Sequence, residues 1–68
     1  MKKKWIVSVE KNYWDEVIKQ LEAKRVYILD LLEILQIIII QEPPNGVGFI
    51  KEMPGVLAVE EEGEITIT

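Results

Sequence analysis

Apolar and polar positions alternate from Lys4 to Glu10. Trp5, Val7 and Val9 share one side, while Lys4, Ile6, Ser8 and Glu10 share the other. A period of two predicts a strand with a single core face. The period then changes. Trp14, Val17, Ile18 and Leu21 fall at i, i+3, i+4 and i+7, which makes one apolar stripe on a helix. Asn12 is expected to cap that helix. Asp15 and Glu16 occupy the first turn, where the helix dipole favours negative charge, and Lys24 and Arg25 suit its C-terminal end. Asp15 and Lys19 form an i, i+4 pair on the wet side.

Residues 26–35 fit two patterns. Ile28, Leu31, Leu32 and Leu35 have helical spacing, so a helix continuing to about residue 35 is one reading. Val26, Tyr27 and Ile28 are strand formers, and a helix from 13 to 35 is long for so small a domain. The favoured reading is a strand over Val26–Ile34, a turn near Leu35 and Gln36, and a partner strand over Ile37–Gln41. That second strand opens with four consecutive isoleucines, Ile37 to Ile40. Successive side chains of a strand point to opposite faces, so this strand is apolar on both sides. A chain of 68 residues has enough helix to cover one face of a small sheet. The other face asks for a partner.

Pro43-Pro44-Asn45-Gly46 is a loop. Val47 to Met53 is expected to form a short, frayed helix beginning near Gly48, with Val47, Ile50 and Met53 inward. Glycine inside it costs about 1 kcal/mol relative to alanine. Pro54-Gly55 turns the chain into a last strand, Val56–Glu62, and Gly63 separates that strand from the tail Ile65–Thr68. The order of elements predicts one domain over residues 1–68. Its expected class is α+β, a ferredoxin-like βαββαβ sandwich: a four-stranded antiparallel sheet, first and third strands central, helices on one face.

Composition narrows the function. Eight basic and twelve acidic residues give a formal charge of −4, against the basic footprint of a nucleic-acid binder. The charge is uneven: Lys2, Lys3 and Lys4 open the chain, and Glu60, Glu61, Glu62 and Glu64 crowd its end. These are either two solvated termini or, on neighbouring strands, mutually attracting clusters. Cysteine and histidine are absent, so no thiolate or imidazole is available as a metal ligand, and no histidine as a general base. Ser8 is the single serine. No enzyme, metal or cofactor is expected. Lys2–Lys4 before Trp5-Ile6-Val7 resembles the start of a signal peptide, but Ser8 and Glu10 end the apolar run too soon. Asp30, Glu33 and Gln36 interrupt the longest apolar region, whereas a membrane span needs about 20 apolar residues. A cytoplasmic location is the expectation.

The open sheet face is the candidate site. Ile6 and two of the four isoleucines are expected there, with Val56 and Ala58 or their neighbours. Contiguous apolar patches beyond a few hundred Å² mark interaction sites. The partner is either a second copy, two sheets packing face to face into a homo-oligomer, or a different protein. Glu60 and Glu62 share the parity of Ala58. Carboxylates on a docking face can cap exposed helix N-termini of a partner, or can form an acidic edge that resists aggregation.

At these residues a resemblance appears. Met53-Pro54-Gly55-Val56-Leu57-Ala58-Val59-Glu60-Glu61-Glu62 is similar to the end of subtilisin propeptides and of the propeptide-like serine protease inhibitors, including small stand-alone bacterial members. Their signature is a short helix, a turn residue, Val-x-x-Val and then acidic residues. Lys2-Lys3-Lys4-Trp5-Ile6-Val7-Ser8-Val9 also resembles that family's first strand. The resemblance implies a ferredoxin-like plait whose open sheet packs on two surface helices of a subtilisin-like protease, with Glu60 and Glu62 capping those helices. It further implies that Ile65, Thr66, Ile67 and Thr68 enter the substrate subsites as a product-like strand, Thr68 nearest the nucleophile. A β-branched Thr68 is an indifferent fit to most subtilisins, which weighs against tight inhibition. Gln36 stands where a hairpin glycine is common, and Gly46 and Gly48 weaken the second helix. With nothing protease-like after residue 68, action in trans is expected. The combined expectation is a non-catalytic protein-binding module that docks through its open face and C-terminal tail. The alternative is a self-assembling structural domain.

Overall fold

The architecture, taken from a computed structural model, is described for residues 3–62. Strand β1 (Lys4–Val9) leads through a 3-10 turn over Lys11–Tyr13 into helix α1 (Trp14–Ala23). Strands β2 (Ile28–Leu32) and β3 (Ile37–Gln41) follow, then the single helical turn α2 (Gly48–Lys51) and strand β4 (Val56–Glu61). The strands form one antiparallel sheet in the order β2-β3-β1-β4, so β1 and β3 are central. The α+β class and the four-stranded antiparallel sheet agree with the sequence expectation.

The core lies between one face of this sheet and the two helices. Val7 and Val9 of β1, Ile38 and Ile40 of β3, Val17 and Leu21 of α1, and Ile50 of α2 are buried to 1% exposure or less. Val26, Val47 and Met53 close its margins, with Trp5, Trp14, Ile18, Ile28, Phe49, Val56 and Val59 packed around them. The i, i+3, i+4, i+7 stripe is therefore the buried side of α1. No polar side chain among the described residues is buried. A core this small and wholly apolar depends on hydrophobic burial, about 25 cal/mol for each Å² removed from water.

Two local expectations need correction, the cap of α1 and the limits of β2. Asn12 does not cap α1. It sits inside the 3-10 turn, whose Tyr13 N–H bonds Glu10 O at 2.9 Å, and α1 starts two residues later with no side-chain cap. Strand β2 is shorter than Val26–Ile34 at both ends. Its start is taken by the close of α1: Val26 N–H bonds Leu21 O and Arg25 N–H bonds Glu22 O, a Schellman motif with Arg25 left-handed at φ 60° and with Val26 and Leu21 both in the core. Its end is taken by a 3-10 turn over Glu33–Leu35. The reversal therefore spans Glu33 to Gln36, with Gln36 left-handed at φ 58°. Leu31 and Leu32 lie in β2 and Leu35 in the turn, so their helical spacing does not mark a continued helix. As expected, α2 begins at Gly48 and is short, a single turn.

Gln36 and Gly55 fasten the ends of the strands. Val9 N–H bonds Gln36 O at 2.9 Å, and Gln36 Nε2 donates back to Val9 O at 3.3 Å. Glu10 N–H bonds Gly55 O at 2.7 Å, tying the exit of β1 to the entry of β4. At the other end of β1, Trp5 Nε1 donates to Glu42 Oε1 at 3.1 Å.

Candidate functional site

The alternation of β3 divides the isoleucine run. Ile38 and Ile40 are fully buried against the helices, whereas Ile37 and Ile39 point to the other face and are half-buried. Residues directly opposite one another in an antiparallel pair project to the same side. The register therefore lays out the open face row by row. One row is Gln41 and Lys4, extended by Glu62, whose N–H bonds Lys4 O at 2.9 Å. The next row is Asp30, Ile39, Ile6 and Glu60. The third is Leu32, Ile37, Ser8 and Ala58. Among the described residues no helix lies over these rows.

Of the residues singled out from sequence, Ile6, Ala58, Glu60 and Glu62 thus come together on one surface. Glu60 lies directly across from Ile6, and Ala58 from Ser8. Ile65, Thr66, Ile67 and Thr68 fall outside the described residues. Val56 does not belong to the face. It pairs with Val9 and packs on the core, because one extra residue, Leu57, is inserted between the Val56–Val9 and Ala58–Ser8 pairs. A bulge shifts the parity of everything beyond it. The extra residue is 68% exposed.

Asp30 and Leu32 belong to the face and were not read from the sequence. Strand β2 carries its own irregularity between Ile28 and Asp30. Counted without it, Ile28 and Asp30 fall on one side; in the structure Ile28 pairs with Ile40 on the core side and Asp30 with Ile39 on the open side. The outcome is an isoleucine pair, Ile39 and Ile6, with a carboxylate on each outer strand.

The terminal charges separate by the same geometry. Strands β1 and β4 are neighbours, and Lys3 Nζ lies 3.8 Å from Glu61 Oε2, both side chains well exposed. Glu61 pairs with Trp5 on the helix side, whereas Glu60 and Glu62 flank Ile6 and Lys4 on the open side. An exposed pair at this distance adds little stability.

A hollow of about 380 Å³ lies by the hairpin, lined by Lys11, Trp14, Glu33, Ile34 and Gln36 and open to solvent. Its lining holds one cation, Lys11, and one carboxylate, Glu33. Among the described residues no group of three or more acidic side chains is placed to hold a metal ion, and no helix is long and apolar enough to cross a membrane. Comparison with known protein families, with curated proteins and with solved structures finds no match to this chain.

Proposed function

We propose that this chain is a non-catalytic protein-binding module, a ferredoxin-like plait that docks through its uncovered sheet face and its C-terminal tail in the manner of a propeptide-type serine protease inhibitor. One observation carries the reading. A face bearing Ile6, Ile37, Ile39 and Leu32 is left uncovered by both helices, and Ala58, Glu60 and Glu62 border it on β4, across from Ser8, Ile6 and Lys4 of β1. Two supports concern the fold. The reading of the fold as the plait draws on the element order β1-α1-β2-β3-α2-β4 with β1 and β3 central. In β4, Glu60 pairs with Ile6 and the Glu62 N–H bonds Lys4 O, while Glu61 pairs with Trp5 on the helix side, so two carboxylates share the open face. In sequence, Gly63 and Glu64 follow the acidic pair and Ile65, Thr66, Ile67 and Thr68 come next, the stretch this reading assigns to the tail.

The test is inhibition of a subtilisin-type protease acting on a chromogenic peptide. The full chain is expected to slow hydrolysis, weakly given the β-branched Thr68, and the chain lacking residues 64–68 to lose that effect while keeping its circular dichroism. Absence of inhibition at high micromolar concentration refutes the protease reading. Light scattering addresses self-assembly: a dimer that persists without residues 64–68 and dissociates on Ile6→Lys favours the structural alternative.

A further inference from the structure

The row Asp30–Ile39–Ile6–Glu60 crosses the whole sheet, with a carboxylate at each outer strand and apolar side chains between. Three interstrand steps of about 4.8 Å place the two acidic positions roughly 14 Å apart. Toward the hairpin, Leu32, Ile37 and Ala58 continue the apolar floor around the hydroxyl of Ser8. Toward the other end, Lys4 and Glu62 border it. The face therefore carries three carboxylates and one ammonium. The acids stand on its edges and not across its middle.

From this placement we infer that the occupant of the face is a basic amphipathic helix of another protein, lying along the strands with its apolar stripe on Ile6, Ile37 and Ile39 and with lysine or arginine on both flanks. The inference rests on the reading that the open face docks a partner, and adds that partner's chemistry. Width fits: an α-helix with side chains is about 10–12 Å across, which the acidic edges bracket. Charge fits as well. Lysine and arginine can lay their apolar stems along a hydrophobic floor and bring their cationic ends to carboxylates at its border. Oδ1 of Asp30 already accepts the Leu31 N–H at 2.9 Å, which holds that carboxylate at the edge with Oδ2 for a partner.

The same features disfavour a second copy of this chain. Stacking two such faces sets one net-negative surface against another, and like charges in apposition penalise association. The projected area is also small. Four strands by about five residues give a flat footprint of roughly 320 Å², which one helix about 10–12 Å across can span. A single helix suits so small a footprint.

The test uses two synthetic helical peptides of about five turns, each with leucine and isoleucine at i, i+3, i+4 and i+7, one flanked by lysine and the other by glutamate. Binding is read by methyl NMR and fluorescence anisotropy on the full chain. The lysine-flanked peptide is expected to shift the methyl signals of Ile6, Ile37 and Ile39, and to bind at least about tenfold more tightly than its counterpart at low salt. That ratio should shrink as salt rises. In the double variant Asp30→Lys, Glu60→Lys the preference should reverse, with circular dichroism unchanged. Equal binding of the two peptides, a preference that survives the charge reversal, or shifts on other residues overturns the inference. If a subtilisin-type protease is inhibited while the peptides bind alike, only the basic-helix inference falls. If neither peptide nor protease perturbs Ile6, Ile37 and Ile39, the open-face reading falls with it.

Discussion

Gly55 is the position where a single methyl group should do most damage. Its φ is +92°, a conformation that side-chain-bearing residues rarely adopt, and a Cβ built there overlaps the Cβ of Tyr13 and comes within 2.6 Å of its Cγ. Tyr13 cannot swing clear by changing rotamer, because its Cβ is fixed by the backbone. The Tyr13 N–H bonds Glu10 O, and the Glu10 N–H bonds Gly55 O itself at 2.7 Å. Gly55→Ala therefore carries two costs. The backbone conformation costs about 1–2 kcal/mol for an L-residue, and relief of the overlap costs about 1–3 kcal/mol, as for an overpacked core. A domain of this length holds about 3–10 kcal/mol in total at 0.05–0.15 kcal/mol per residue, so a loss of about 2–5 kcal/mol takes much of it.

Urea unfolding followed by circular dichroism measures that loss, and two backgrounds separate its parts. In Tyr13→Gly, which removes the obstructing Cβ, adding Gly55→Ala should cost only the conformational share. In Tyr13→Ala, which keeps that Cβ, the cost should stay near its full value. A Gly55→Ala variant within about 0.5 kcal/mol of the parent, the range of a neutral surface change, would refute the reasoning. An identical cost in all three backgrounds would refute the overlap and leave only the backbone term.

Two further predictions come from the same structure. Arg25 and Gln36 both occupy left-handed conformations that glycine adopts freely. Arg25→Gly should raise the unfolding midpoint by the equivalent of about 0.5–1 kcal/mol, whereas Gln36→Gly should gain less, because it also deletes the Gln36 Nε2 to Val9 O bond. If both lower the midpoint, the turn geometry at the ends of α1 and β2 is wrong. Within the isoleucine run, Ile38→Ala should cost about 2–5 kcal/mol by opening a cavity in the core. Ile39→Ala should cost about 1 kcal/mol or less, the span of strand preference at an uncovered site. Comparable losses at the two positions would contradict the division of the run between faces.

Much of the fold was legible in local pattern. The period-two run of β1, the i, i+3, i+4, i+7 stripe of α1, the limits of β3 and the inward set Val47, Ile50 and Met53 are each properties of neighbouring residues, and each is found in the structure. Two misreadings shared one cause. Asn12 and the start of the span 26–35 both lie where the chain enters or leaves a helix. There, backbone hydrogen bonding to Glu10 and Leu21 prevailed over side-chain preference.

By itself, then, the sequence determined that four isoleucines would form a strand apolar on both sides, and that a chain this short could cover only one of them. It also put Ala58, Glu60 and Glu62 on one parity. What only the tertiary structure decided is which other residues stand beside them. Register between strands depends on hydrogen bonds among segments distant along the chain, and one inserted residue reverses every side chain beyond it. The insertion at Leu57 sent Val56 to the core, and the irregularity before Asp30 set Asp30 and Leu32 on the open face. Alternation along a strand tells which side chains share a face; the pairing between strands tells which of them are neighbours.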